Sequence, residues 1–275
     1  MIQLMKPPSS ARSFLFSILL LGLGLVGNAL AATADDPWIG KVAVITGSSS
    51  GLGMELAKIA AARDMRLVLA DINPESSREF ARQVLAEGGE AIAVEVDLAD
   101  AAARPRVIEA AVEAYGTVDY LFNNAGYSYL ATLEQMDLEM AHHLFEVNYW
   151  AYLDLAQRVL PIMKAQGSGS ILNVVSILAH VSAPPGLGHY AGSKAALVGV
   201  FQAVAQEVEP YGVRVFLASP GGMRTNIGRN AVGPLADRGR DRADEWEPPE
   251  VAARDIFEAM EQDQVQFFPG YVEQP

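Results

Sequence analysis

The chain contains no cysteine and few positive charges, and each shortage narrows what it is able to do. Without a thiol there is no disulfide, no thiolate nucleophile and no cysteine-held metal, and redox chemistry leaves no mark by which to read its compartment. Lysine and arginine number 20 against 33 aspartates and glutamates, a formal net charge of −13. No basic stripe is available to displace counterions from a phosphate backbone, which argues against nucleic acid as a partner. Histidine is also sparse. His142 and His143 adjoin each other with no carboxylate–histidine ligand spacing around them, so they read as surface or interface residues, and no catalytic metal is expected. Low-complexity tracts and internal repeats are lacking too.

What remains is the composition of an ordinary globular chain, 275 residues with 51% apolar, enough for one sizeable core. The first part stands apart. Lys6 and Arg12 precede the apolar run Phe14 to Val26, and the small residues Ala29-Leu30-Ala31-Ala32 follow it. This is the three-part layout of a secretory signal, with Ala-x-Ala cleavage after Ala31 and a second register at Ala32-Thr33-Ala34. Residues 1–31 thus read as a signal peptide, 32–40 as a linker and 41–275 as the folded domain. Loss of one Lys, one Arg and no acid would take the charge from −13 to −15. The rival reading is an uncleaved membrane anchor over residues 13–32. Both basic residues precede the run and Asp35 and Asp36 follow it, so either reading exports the domain to a periplasmic, lumenal or secreted location, with membrane contact only through this segment.

Beyond Lys41, short β-branched runs alternate with stretches of helical periodicity, the pattern of βαβ units. Strands are expected at Val42–Thr46, Arg66–Ala70, Ala91–Val96, Val118–Phe122, Ser170–Val175, Val213–Ala218 and Val265–Phe268. Most are continuous apolar runs, as required when helices cover both faces of a sheet. The expected fold class is α/β, one Rossmann-like doubly wound parallel sheet of about seven strands. Its ligand crevice opens at the carboxyl ends of the strands, where the chain concentrates Gly47, Asp71, Asp97, Asn123 to Gly126, Ser176, and Pro220 with Gly221.

Two local patterns carry chemistry. Thr46-Gly47-Ser48-Ser49-Ser50-Gly51-Leu52-Gly53 joins the first strand to a helix, so that Gly47, Ser49, Ser50, Gly51, Leu52 and Gly53 bring backbone N–H groups and a helix N-terminus toward a pyrophosphate. A glycine-rich turn alone is weak evidence of this; the flanking strand and helix strengthen it. Asp71 closes the second strand, where an acid bonds ribose hydroxyls and repels a 2′-phosphate. No Arg or Lys stands among Ser48, Ser49, Ser50, Ile72 and Asn73, so NAD is favoured over NADP. The bland reading of Asp71 is a helix cap before Pro74. Tyr190 and Lys194 are spaced i, i+4 on one helical face, and an ammonium beside a phenol lowers its pKa toward the range of efficient proton transfer. That spacing also occurs by chance as a surface pair.

Taken together and in order, TGSSSGLG at 46–53, NNAG at 123–126, Asn148, Ser176, YAGSK at 190–194 and PGGMRT at 220–225 resemble the short-chain dehydrogenase/reductase family of NAD(P)-dependent oxidoreductases, over about residues 41–270. The resemblance implies an alcohol dehydrogenase or carbonyl reductase. In it Tyr190 exchanges the proton with the substrate oxygen and Ser176 hydrogen-bonds that oxygen. Lys194 lowers the tyrosine pKa and binds the nicotinamide ribose, and Asn148 holds a water linking Lys194 to solvent. The resemblance also implies that Asp97 and Leu98 border the adenine, that Asn124, Ala125 and Gly126 line the adenosine side, and that Pro220, Gly221 and Thr225 meet the nicotinamide end. Each has a bland counterpart: Asn148 a helix bend, Ser176 a strand end, Thr225 a helix cap. Gly192 and Gly222 depart from the family pattern without touching the chemistry.

A medium-sized alcohol or ketone would be bounded by Leu178, His180, Pro184 and Leu187, by Tyr127 and Tyr129, and by the loop from Asn226 to Trp246. The stretch from Tyr190 to about Glu209 is apolar nearly all round and needs cover on two sides, which implies a homodimer or homotetramer. Two rivals stay open, an epimerase or dehydratase of the same family and a dinucleotide-binding sensor or scaffold without turnover.

Overall fold

The computed structural model describes residues 36–240 and 246–270. The export segment, its cleavage sites and the alternative anchor lie outside the described residues. Within them, seven parallel strands form one sheet: β1 (Val42–Thr46), β2 (Arg66–Asp71), β3 (Ala91–Glu95), β4 (Tyr120–Asn123), β5 (Gly169–Val174), β6 (Val213–Ala218) and β7 (Gln266–Phe267), in the order β3-β2-β1-β4-β5-β6-β7. The connecting helices are α1 (Gly51–Ala62), α2 (Glu75–Ala86), α3 (Pro105–Tyr115), α4 (Leu138–Phe145), α5 (Ala151–Gln166), α6 (Gly188–Val208), the short α7 (Asn226–Arg229) and α8 (Asp237–Arg240), and α9 (Pro249–Glu261).

Side chains alternate across a strand, and here both sides are buried. Val42, Val44, Val68 and Ala70 join Val107, Ile108, Leu155 and Phe201 from α3, α5 and α6 on one face. Ala43, Ile45, Leu67 and Leu69 meet Leu52, Leu56, Ile256 and Phe257 from α1 and α9 on the other. This double cover is why β1 and β2 read as unbroken apolar runs. The expected strands are all present, β1 and β6 with the expected ends and the others with ends moved by one or two residues. The largest change, the later start of β4, has a local cause: the Asp119 carboxylate accepts from Val42 N (2.9 Å) and Lys41 Nζ (3.1 Å), so a side chain takes the position of a ladder partner.

The packed fold also begins before Lys41. Trp38 is buried against Tyr120 and Phe257, with ring centroids 4.6 and 5.0 Å away, and its indole N–H donates to Glu261 of α9 (3.2 Å). Part of the expected linker is therefore anchored to the domain. The strand order reverses between β1 and β4, and it is at such a switch point that a crevice opens.

Candidate active site

The crevice is a cavity of about 800 Å³ running across the carboxyl ends of the sheet. Its floor is two loops locked together. Thr46 Oγ1 accepts from Asn124 N and Ala125 N (both 3.0 Å), while Asn124 Nδ2 donates to Thr46 O (2.9 Å) and Gly47 O (3.2 Å). At the N-terminus of α1 the cap residue Ser50 makes no side-chain bond to the helix, which leaves first-turn N–H groups open to an anion. Gly53 sets how near this helix comes: a Cβ there would stand 2.1 Å from Gly47 O and 2.6 Å from Asn124 Nδ2. Gly47, Ser49, Ser50, Gly51 and Leu52 line the cavity as expected; Gly53 does not, and acts beneath the loop instead.

Asp71 is held with its carboxylate facing the same loop. Oδ2 accepts from Ser49 N (3.0 Å) and Oδ1 from Asn73 N (2.9 Å). Beneath it the fully buried Ser77 of α2 contacts Ser48 Oγ and Ser49 Oγ, both at 2.8 Å, tying loop and helix together. A second acid, Glu75, lines this end. Arg78 pairs with Glu95 (2.7 Å) and partly offsets Glu75 (3.6 Å), but it is not among the lining residues. Asp97 and Leu98 form the next wall. Leu98 is fixed from behind by the buried Arg104, whose Nε donates to its carbonyl (2.8 Å) while Nη2 reaches the Glu146 carboxylate (2.5 Å).

At the opposite end stand Ser176, Tyr190 and Lys194. Ser176 follows β5 and accepts from Leu178 N (3.2 Å) as it starts a short 3₁₀ turn. Tyr190 and Lys194 rise from the first turns of α6, which begins two residues before the expected start. Burial pushes the Tyr190 phenol up to about 12, opposed by its hydrogen bond with Ser176. Burial also pulls the Lys194 amine down to about 7. In this arrangement desolvation outweighs the mutual help that the i, i+4 spacing suggests, and Lys194 Nζ donates to Val174 O (2.9 Å) and Tyr152 OH (3.2 Å) rather than to Tyr190. Asn148 is fully buried in a π-helical turn, Glu146–Trp150, between α4 and α5. Its side chain clamps one backbone residue, accepting from Tyr127 N (3.1 Å) and donating to Tyr127 O (3.0 Å). Asn148 thus supports the cavity wall from behind and does not line it.

Comparison with known proteins agrees with this geometry. A family model described as short chain dehydrogenase matches residues 41–233. The chain belongs to the short-chain dehydrogenase family. It is 36% identical over 191 residues to the 2,5-dichloro-2,5-cyclohexadiene-1,4-diol dehydrogenase LinX of Sphingobium indicum, which covers 70% of this chain and 76% of that one. Among solved structures, a short-chain dehydrogenase/reductase of Burkholderia phymatum in complex with NAD is similar at a TM-score of 0.78 and 30% identity, covering 84% of this chain and 89% of that one. A short-chain dehydrogenase of Burkholderia cenocepacia in complex with NADP is similar at 0.73 and 28%, covering 84% and 97%. This short-chain dehydrogenase is accordingly an oxidoreductase that uses a nicotinamide dinucleotide.

The residues expected on the cofactor side, Asn124, Ala125, Gly126, Pro220, Gly221 and Thr225, all border the cavity. Thr225 also caps α7, accepting from Ile227 N (3.3 Å), so its bland reading holds alongside. Of the residues expected to bound the substrate of this short-chain dehydrogenase, Leu178, Pro184, Leu187, Tyr127, Asn226 and Trp246 line the cavity. Two expected wall residues do not. His180 turns away to Ser219 Oγ (2.9 Å) and the edge of Phe268, and Tyr129 is buried with its hydroxyl accepting from Asp137 N (2.8 Å). Ile177, Val147 and His143 were missed, while Ile227 falls within the expected loop. His143, expected as a surface or interface residue, is exposed and also lines the mouth, bonding Tyr127 OH through Nδ1 (2.7 Å). No spacing in the sequence announces that pair, because it joins α4 to the turn after β4.

Proposed function

We propose that this enzyme interconverts a secondary alcohol and its ketone, prefers NAD to NADP, and works outside the cytoplasm. The observation that carries the reading is one continuous cavity with an open helix N-terminus and a fixed carboxylate at one end and a buried serine, tyrosine and lysine at the other. The donor set fits a dinucleotide. Gly47 and Gly51 with the α1 N-terminus would hold the pyrophosphate, Asp71 the adenosine ribose, Leu98 the adenine, and Pro220 to Thr225 with Lys194 the nicotinamide end. When bound, the dinucleotide supplies the hydride exchange and, oxidised, a positive charge.

The chain's own residues handle the oxygen. At neutral pH Tyr190 retains its proton, which suits it to donate to a carbonyl oxygen as that oxygen gains charge. Ser176 Oγ lends a second hydrogen bond to the same atom, a stabilisation of developing charge that is strongest in a dry site. In the oxidation direction the phenol must first lose its proton, and the positive form of Lys194 favours that loss. Asn148 keeps the turn at Tyr127 in place. Apolar walls from Ile177, Leu178, Leu187 and Trp246 exclude water and receive the substrate's carbon frame.

Asp71, with Arg78 engaged by Glu95 and Glu75, favours NAD by repelling a 2′-phosphate. The outward face of α6 carries the exposed small residues Gly192, Ala195, Gly199 and Ala203, which supports close packing of a second copy and a homodimer or homotetramer. Export rests on the N-terminal sequence, and intact mass of the natively purified protein reports whether the chain starts near Ala32. The deciding assay measures NAD and NADP turnover over cyclohexanol, 1-phenylethanol, butan-2-ol and the corresponding ketones. Turnover with NAD preferred is the expected result; cofactor binding without consumption on every substrate would favour a sensor instead.

A further inference from the structure

We propose that Tyr152 is a positioning residue of the catalytic centre, its hydroxyl holding the Lys194 amine and tying it to the turn at Ala125. The inference rests on Tyr190 and Lys194 acting as the proton-transfer pair. Tyr152 lies four residues past Asn148, in the first turn of α5, and is 1% exposed. Its hydroxyl donates to Ala125 O (3.0 Å) and accepts from Lys194 Nζ (3.2 Å). Nζ also donates to Val174 O (2.9 Å) and lies 4.8 Å from the Tyr152 ring centroid. An ammonium has three N–H groups. Two are fixed on the protein side, so the third is directed by elimination toward the remaining neighbours at the cavity.

A lysine stem is flexible, and a fixed Nζ needs acceptors that do not move. Val174 O belongs to the sheet and is rigid. Tyr152 OH is made equally rigid by the packed ring and by the backbone carbonyls within reach of its proton, Ala125 O (3.0 Å) and Val174 O (3.4 Å). Burial, with Tyr190 adding to it, holds the Tyr152 phenol well above its ordinary range, so it stays a neutral acceptor at working pH. A carboxylate at this place would seize the ammonium as an ion pair, and an aliphatic side chain would leave one N–H unpaired in a dry site. The phenol is intermediate: it steadies the amine and leaves its charge available to Tyr190. The other ionisable groups around the pair are engaged elsewhere, His189 of α6 donating through Nε2 to Ala141 O (2.9 Å). Glu146 and Asp154, on the π turn and α5, face Arg104. His143 from α4 bonds Tyr127, and residues 169–176 and 123–126 carry no ionisable side chain.

Tyr152→Phe keeps the ring and removes the acceptor. As Tyr190 ionises it favours the ammonium form of Lys194; without the acceptor that ammonium is less well stabilised, so the coupled ionisation of Tyr190 moves to higher pH. For the fastest alcohol of the panel, the acid limb of kcat/KM is expected to move up by about one pH unit. A phenolate-absorbance titration of the NAD complex, with Tyr190→Phe as the blank, reads the same ionisation without turnover. A lowered melting temperature with the limb and the titration both at their wild-type positions would make Tyr152 a packing residue only and overturn the proposal. Should the phenylalanine variant fail to fold, 3-fluorotyrosine at position 152 keeps the shape and the donated proton but weakens the acceptor. It should move the limb in the same direction by less, and an unmoved limb overturns the proposal. If Tyr190→Phe itself keeps turning over, the underlying reading is what fails; if it is inactive and the Tyr152 variants leave the limb unmoved, only this inference fails.

Discussion

Replacing Lys194 by methionine tests the buried lysine through stability rather than turnover. Lys194 is 2% exposed, and burial takes its amine from 10.5 to about 7. Each pH unit of displacement is worth about 1.4 kcal/mol, so burial of the charged form opposes folding by about 5 kcal/mol once both folded and unfolded chains are protonated, below pH 7. Between pH 7 and 10.5 the unfolded chain keeps the proton while the folded chain releases it. The unfolded state therefore binds more protons, and stability rises with pH across that window. By pH 9 the remaining opposition is about 2 kcal/mol. Methionine removes it at every pH but gives up two hydrogen bonds, to Val174 O and Tyr152 OH, together worth about 2 kcal/mol. Urea unfolding of the two proteins from pH 6 to pH 9 should thus find the variant more stable by about 3 kcal/mol at pH 6 and nearly level at pH 9. The shared carboxylates and histidines cancel in the difference. A difference that stays constant across this range would mean that Lys194 titrates as in the unfolded chain, and the description of the site would be refuted.

Two further substitutions probe the cofactor end. Asp71→Ala removes the carboxylate held by Ser49 N and Asn73 N, and fluorescence titration should show NADH affinity falling and the NADH-to-NADPH preference shrinking by about tenfold, the equivalent of 1.4 kcal/mol; an unchanged ratio would remove Asp71 from cofactor choice. Gly53→Ala places a methyl 2.1 Å from Gly47 O, and thermal unfolding should report about 1–3 kcal/mol of destabilisation with weakened dinucleotide binding.

Much of this architecture was legible in the chain because parallel strands covered on both faces leave unbroken apolar runs, as residues 42–45 and 67–70 do. The loop-end positions of Gly47, Asp71, Ser176 and Pro220 followed from the same rule. What escaped were contacts between elements far apart in sequence. Trp38 looked like linker because nothing local signals that Tyr120 and Phe257 await it. His180 stands four residues past Ser176 with nothing local to turn it from the substrate, yet Ser219, 39 residues on, claims its ring. The i, i+4 spacing of Tyr190 and Lys194 correctly put both at the cavity but said nothing of how dry the site is. Burial moves both pKa values away from what proximity alone suggests. Tyr152 was silent for a related reason, as an aromatic in an amphipathic helix reads as core until its hydroxyl is seen beside Lys194.

The account depends most on the phenol of Tyr190 handling the substrate's proton, and Tyr190→Phe addresses that most directly. Measured with NAD and the fastest alcohol of the panel, kcat should fall by about 10²- to 10⁴-fold while the dissociation constant for NADH, read by fluorescence, changes little. Retention of wild-type kcat with NADH still bound in the same cavity would contradict it.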